Sequence, residues 1–240
     1  MTGVIHDVPQ RSPAWHALRV GRLTGSRAPA LGVTLKSGGE AAARADLRAA
    51  LVCEQLVGAS VEDRYVSRDM QRGIDREPDA IRAYEAATGA LVDPIGFVAH
   101  PTLRAGCSPD GYIADEGGIV EIKCPKMATH LKTLGARAIP REYVYQLVHN
   151  LWITGAPWCD FVSFDDRFPP SLSLVILRYY AFPRDVGAYE LQARLLLDEV
   201  DRQVAALAGV RDAYATIPGD AYGEPAHVAA VEPPPPGATP

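Results

Sequence analysis

The chain has 240 residues, 48% of them apolar, with three Trp and ten Tyr, which is enough for one sizeable core and excludes a wholly disordered protein. A net charge of −5 argues against a generally sticky polyanion binder, and no apolar run approaches the about 18 residues of a membrane span. The four Cys (53, 107, 124 and 159) are far apart with no C-x-x-C pair, which reads as reduced, cytosolic thiols; an iron–sulfur site built from all four is the other reading.

Met1–Gln10 lacks a basic start and an apolar stretch, so no signal peptide is expected and a cytoplasmic location is. Ser12-Pro13 opens a helix with an N-cap and a proline at its first position, and Trp15 and Leu18 mark its buried stripe. In Arg19–Arg27, Ser26 is placed to cap a second short helix whose N-terminus is an anion site. Arg19, Ser26 and Arg27 then read as a phosphate pocket or as a capped turn with solvated arginines. Gly32–Gly39 reads as a loop and Glu40–Val57 as an amphipathic core helix. Arg64, Arg68, Arg72 and Arg76 recur every four residues, giving either a phosphate-tracking stripe or a solvated helix face. That helix continues through Ile74, Ile81 and Tyr84 and stops at Gly89. Glu77 before Pro78 is a carboxylate in an odd place, or a surface residue where the helix kinks or starts.

Gly96–Val98 and Leu103–Cys107 are strand-like. Cys107–Ile113 and Ile119–Pro125, joined by a Gly-rich break, form a hairpin. Alternation puts Ile119, Glu121 and Lys123 on one face, with Glu121 and Lys123 about 7 Å apart at their Cα atoms. The turn can fold Asp110 back beside Glu121, so that two carboxylates and a lysine converge. Such oxygen donors suit a hard cation like Mg²⁺, which lowers the pKa of a bound water near a phosphate. Alternation alone also fits an exposed hairpin with an ordinary Glu/Lys pair. Pro140–Gly155 follows as a helix in which Tyr143 and Gln146, one turn apart, can both face the hairpin. Trp158–Phe164 and Leu172–Phe182 read as strands, and Asp185–Gly209 as a long helix with Leu195, Leu196, Val200, Val204 and Leu207 as its apolar positions. The residues after Ile217 read as a disordered, Pro-rich tail. Charge is uneven: residues 1–36 carry five basic side chains against one acidic, and residues 185–240 three against nine. The order of elements gives an α+β or mixed α/β core around a central mixed sheet.

Pro109-Asp110, ten intervening residues and Glu121-Ile122-Lys123 resemble the PD-(D/E)XK nuclease signature. Further pieces in order are Ser12-Pro13-x-Trp15-x3-Arg19-x-Gly21-x2-Thr24-x-Ser26, Gly73-x3-Glu77-Pro78, Ser108-Pro109-Asp110-Gly111, Tyr143-x2-Gln146 and Trp152-Ile153-Thr154-Gly155. Together they resemble the lambda-exonuclease and YqaJ-type viral recombinase nucleases over roughly Ser12–Phe168. The resemblance implies a restriction-endonuclease-like core in residues 1–216 followed by a tail, 217–240. It implies that Asp110, Glu121 and the carbonyl of Ile122 hold one Mg²⁺ (or Mn²⁺) and that Glu77 completes a second metal site. The two ions would stand about 3.5–4 Å apart. Lys123 would activate the water, Gln146 and Tyr143 would support the site, and Arg19, Ser26 and Ser108 would hold a DNA 5′-phosphate. The implied activity is 5′→3′ digestion of duplex DNA ends to 5′-mononucleotides. That leaves 3′ overhangs for recombination with a single-strand annealing partner, and a homotrimer is the implied assembly. If the chain is phage-encoded, the compartment is the bacterial host cytoplasm. The acidic, Pro-rich C-terminus has no counterpart in that pattern. An endonuclease of restriction or repair type, and a non-catalytic DNA-binding protein of the same fold, are the alternatives.

Overall fold

The computed structural model describes residues 2–33, 39–61 and 66–215, the last six by backbone alone. Among the described residues, those up to Val204 form one compact unit and those from Ala205 on a second. Arg64, residues 34–38 of the expected Gly32–Gly39 loop and the expected 217–240 tail lie outside the described residues. The fold is mixed α/β. The elements in order are β1 (Val4–His6), α1 (Pro13–Arg19), β2 (Leu23–Thr24), a 3-10 turn (Ala28–Gly32), α2 (Ala42–Val57) and α3 (Arg68–Thr88). Then come β3 (Phe97–Ala99), β4 (Ala105–Cys107), β5 (Gly111–Ile113), β6 (Gly118–Lys123), α4 (Met127–Ala136), α5 (Arg141–Thr154), β7 (Cys159–Phe164), β8 (Leu174–Tyr179) and α6 (Pro183–Ala215). No described helix is long and apolar enough to cross a membrane.

The mixed sheet is divided between two four-stranded sheets, ordered β1-β3-β4-β2 and β5-β6-β7-β8. In the second, β5/β6 and β7/β8 are antiparallel while β6/β7 is parallel. β6 and β7 are interior strands, buried on both faces apart from Lys123 at the end of β6, as their nearly continuous apolar runs require. Helix α5 is buried on every side from Leu147 to Thr154. Leu147 and Leu151 pack on Ile119 and Phe161 of the second sheet, while Val148, Trp152 and Ile153 pack with Val98 and Ala105 of the first. On the opposite face of the second sheet, Ala80 and Tyr84 of α3 meet Val120, Ile122 and Val162. There Asp160, buried on β7, accepts from the Tyr84 hydroxyl at 2.8 Å and from Arg178 Nε at 2.9 Å, so its charge is compensated. These two packing faces fix where α3 and α5 present their side chains at the end of β6.

Several expected details change. β1, β2 and α4 carry too little periodic signal to be expected from sequence. Ser26 does not cap the 3-10 turn, whose N-cap is Arg27 without a side-chain bond. Trp15 and Leu18 are half-buried, because α1 lies at the surface with no fully buried residue. Leu195 and Leu207 of α6 are 51% and 47% exposed; Leu196 and Val200 are buried as expected, and Tyr189, Ala193 and Leu197 complete the stripe.

Candidate active site

The hairpin forms in the expected register, with Gly111 opposite Val120 and Tyr112 opposite Ile119. Asp110 precedes β5, and its Oδ2 accepts the backbone N–H of Ile122 at 2.6 Å. That bond holds Asp110 against the strand that carries Glu121 and Lys123. Glu121 is buried, 3% exposed, and its Oε1 accepts from Lys123 Nζ and from Gln146 Nε2, both at 2.5 Å. Its Oε2 accepts from Asn150 Nδ2 at 2.9 Å. Tyr143 packs above, with Lys123 Nζ 5.5 Å from its ring centroid. Tyr143, Gln146 and Asn150 recur at one-turn intervals, so the same stripe of α5 supplies all three.

Glu77 reaches the same pocket from α3, which runs on through Pro78, and is paired with Arg11 at 2.5 Å. Arg11 has a left-handed backbone (φ 66°), and its neighbour Gln10 donates to the carbonyls of Ile95 and Pro109. The N-terminal segment is thereby pinned beside Asp110.

At the other end of the pocket Arg19, Ser26 and Ser108 form a cradle of hydrogen-bonding groups. Ser12 Oγ caps α1 by accepting the Trp15 N–H at 3.2 Å. The Trp15 ring lies 4.3 Å below the Arg19 guanidinium, and its Nε1–H donates to Ser108 Oγ at 2.8 Å. Arg19 donates in turn to Ser26 Oγ at 3.0 Å. Arg19, Ser26 and Ser108 therefore sit together. Arg27 does not join them: it forms a two-pronged pair with the fully buried Glu54, at 2.9 and 2.6 Å. Gly21 N–H also donates to Glu54, at 2.8 Å. Arg27 thus anchors the cradle to α2 and is not part of it. Two arginines of the α3 stripe are likewise neutralised, Arg72 by Asp165 and Asp166 and Arg76 by Asp79 and Asp166, while Arg68 stays exposed.

Both ends line one cavity of about 480 Å³. Burial first, and then the charge of Glu121, push the Asp110 carboxyl well above the usual carboxylate range, with Lys123 opposing. Burial works against the Lys123 ammonium, but Glu121 and Asp110 outweigh it and hold it above its ordinary value. Cys124 beside them is pushed up to about 12, chiefly by burial, which leaves it an inert thiol. The pocket is therefore short of positive charge at Asp110 and supplies hard oxygen donors, a set that suits a divalent cation. Among the described residues no three His, Cys, Asp or Glu stand together in metal-holding geometry. Both oxygens of Glu121 are taken by Lys123, Gln146 and Asn150, and Oε2 of Glu77 by Arg11, donors that would have to yield to a cation.

Sequence reading missed Trp15 as a linker, Asn150, Arg11 and the Arg27–Glu54 pair. Only Asn150 had a signal, its spacing from Gln146.

A mixed α/β core with a carboxylate–lysine group and this cradle in one pocket defines a nuclease-type site. The chain belongs to the YqaJ-like viral recombinase domain family, whose model matches residues 14–157. It is similar to the crystal structure of an alkaline exonuclease from Laribacter hongkongensis, at 33% identity over 86% of this chain and 100% of that one, with a TM-score of 0.76. The same exonuclease in complex with dAMP matches at 32% identity over the same shares, again with a TM-score of 0.76. A phage related exonuclease from Haemophilus somnus 129PT shares the fold at 13% identity over 78% of this chain and 96% of that one, with a TM-score of 0.60. A comparison with curated protein sequences found no match.

Proposed function

We propose that the chain is a DNA exonuclease that digests duplex ends in the 5′→3′ direction with Mg²⁺, releasing 5′-mononucleotides and leaving 3′ overhangs. The observation that carries this reading is the joining of an anion cradle and a carboxylate–lysine group in one cavity. A terminal phosphate and the next phosphodiester need such a pair of subsites. Family membership and the 33% identity to an alkaline exonuclease along its whole length support the exonuclease class.

In this reading Asp110, Glu121 and the Ile122 carbonyl hold one divalent cation and Glu77 helps to hold a second. Bound cations of this kind acidify a water and neutralise charge on the phosphate. Gln146 and Asn150 fix the Glu121 carboxylate. Lys123 Nζ, once released from Glu121, orients the attacking water and donates to the developing charge. Tyr143 caps the lysine. Arg19, Ser26 and Ser108 hold the 5′-phosphate, which sets the register so that one nucleotide lies between cradle and carboxylates. A trimer of the chain and a single-strand annealing partner, both implied by the resemblance, complete the proposal, with the 1–216 segment as the nuclease domain.

Digestion of end-labelled linear duplex with and without Mg²⁺, with the products sized, tests it. Mononucleotides released from 5′-phosphorylated ends only when metal is added support it, and a covalently closed circle is spared. Cutting of the circle would convert the reading to an endonuclease.

A further inference from the structure

The chain is acidic, and most of its described arginines are matched by carboxylates: Arg27 by Glu54, Arg44 and Arg48 by Glu199, Arg72 by Asp165, Arg178 by Asp160. Arg22, Arg68, Arg104 and Arg202 also lack a carboxylate partner among the described residues, but one segment gathers several such cations with no acid among them. Residues 126–141 contain Lys126, Lys132, Arg137 and Arg141 and no acidic residue. Lys126 is 71% exposed and pairs with Asp69 at 3.0 Å. Lys132, Arg137 and Arg141 are exposed, and none has a carboxylate partner among the described residues.

The segment is not a floppy excursion. It leaves the pocket at Lys126, forms α4, turns at Arg137, and returns as α5 to the pocket-lining Tyr143 and Gln146. It is anchored by His130, fully buried, whose ring nitrogens meet Ser163 Oγ and the Leu172 carbonyl, both at 2.8 Å. Arg137 itself adopts the left-handed conformation (φ 45°) that closes α4, a backbone more often given to Gly or Asn. A long cation thus stands where turn chemistry favours a small residue.

We infer that the α4–α5 hairpin is a track for the sugar–phosphate backbone of the duplex beyond the nucleotide being removed, with Lys132, Arg137 and Arg141 neutralising phosphates. This rests on the exonuclease reading of the pocket. It goes further by placing a second, sequence-independent DNA surface on residues outside the cradle and outside the carboxylate–lysine group. Long cations without carboxylate partners, carried on an anchored hairpin, suit a polyanion that must slide, because phosphate contacts carry no base information.

The test is the salt dependence of binding. Full-length protein and a 5′-phosphorylated duplex are mixed in EDTA, so that no cleavage occurs, and affinity is measured by anisotropy across about 50–200 mM salt. The variant Lys132→Gln/Arg137→Asn/Arg141→Gln keeps the left-handed turn and removes three cations. Each phosphate that is no longer neutralised lowers the slope of log K against log salt by about 0.9, so a fall of about 2.7 is expected. Arg184→Gln, an exposed arginine paired with its neighbour Asp185, serves as control and leaves the slope unchanged. A triple variant with a wild-type melting temperature and a wild-type slope overturns the inference. If the triple variant does not fold, the three single changes are read instead, each expected to lower the slope by about 0.9; three unchanged slopes overturn the inference equally. The pocket reading fails separately: wild-type protein that leaves linear duplex undigested with Mg²⁺ sinks that, whatever the slopes.

Discussion

Trp15 Nε1 donates to Ser108 Oγ at 2.8 Å across 93 residues of sequence, while the same ring lies beneath the Arg19 guanidinium. One indole therefore positions two of the three residues assigned to the 5′-phosphate. Trp15→Phe keeps the stacking and removes the donor, a loss worth about 1 kcal/mol or a factor of about five. The rate ratio between 5′-phosphorylated and 5′-hydroxyl ends is expected to fall by that factor. An unchanged ratio would show that Ser108 does not depend on Trp15.

Asp110→Asn and Lys123→Ala are expected to lower single-turnover digestion of linear duplex at least about a hundredfold, the scale of removing one preorganised group from a transition state. Thermal melting provides the independent readout. Mn²⁺ at about 100 times its Kd stabilises by about 2.7 kcal/mol if it binds only the folded chain. That increment should vanish in Asp110→Asn; its persistence would move the cation elsewhere.

Glu54 shows how the cradle is held from behind. It is fully buried and receives Arg27 and the Gly21 amide; burial alone would raise its carboxyl, but those hydrogen bonds outweigh burial and lower it. Glu54→Gln removes one side of a buried pair, which costs about 3–5 kcal/mol. For a chain of this size the melting temperature should drop by roughly 10 °C. A drop under about 2 °C would mean that the pair contributes little.

His149 predicts the acid limit of the fold. It is fully buried between Tyr189 Oη at 2.6 Å and the Gly106 carbonyl at 2.9 Å. Burial, with His100 and Arg19 adding and the Gly106 bond opposing, lowers its pKa to about 4. The unfolded value is about 6.5, so between the two the unfolded chain binds the extra proton. The contribution is full above about pH 6.5 and is lost as pH falls to about 4, up to about 3 kcal/mol. Denaturant titrations of wild type and His149→Gln across that window should show a shallower pH slope in the variant. Parallel slopes would remove His149 as the cause.

Much of the site was legible before any coordinates. Alternation along Ile119–Lys123 is a two-residue period that no tertiary contact is needed to set, and it put Glu121 and Lys123 together. The Tyr143/Gln146 spacing did the same for α5. The arginines were the opposite case. Arg19, Arg27, Arg72 and Arg76 look alike in the sequence, yet only Arg19 lies in the cradle: Arg27 and Arg72 are taken by Glu54, Asp165 and Asp166, far away along the chain, and Arg76 by Asp166 and its helix neighbour Asp79.

The sequence by itself determined the hairpin, the Tyr143/Gln146 stripe of α5 and the chemical character of the pocket, because each depends on neighbours within a turn or a strand. Tertiary structure alone decided which charges are spent on one another and which face the pocket. It also joined Trp15 to Ser108, brought Asn150 to Glu121, and built β1 and β2 from segments too short to declare themselves. The physical reason is that a charge or a hydrogen-bond donor carries no record of its partner until packing brings the two within reach.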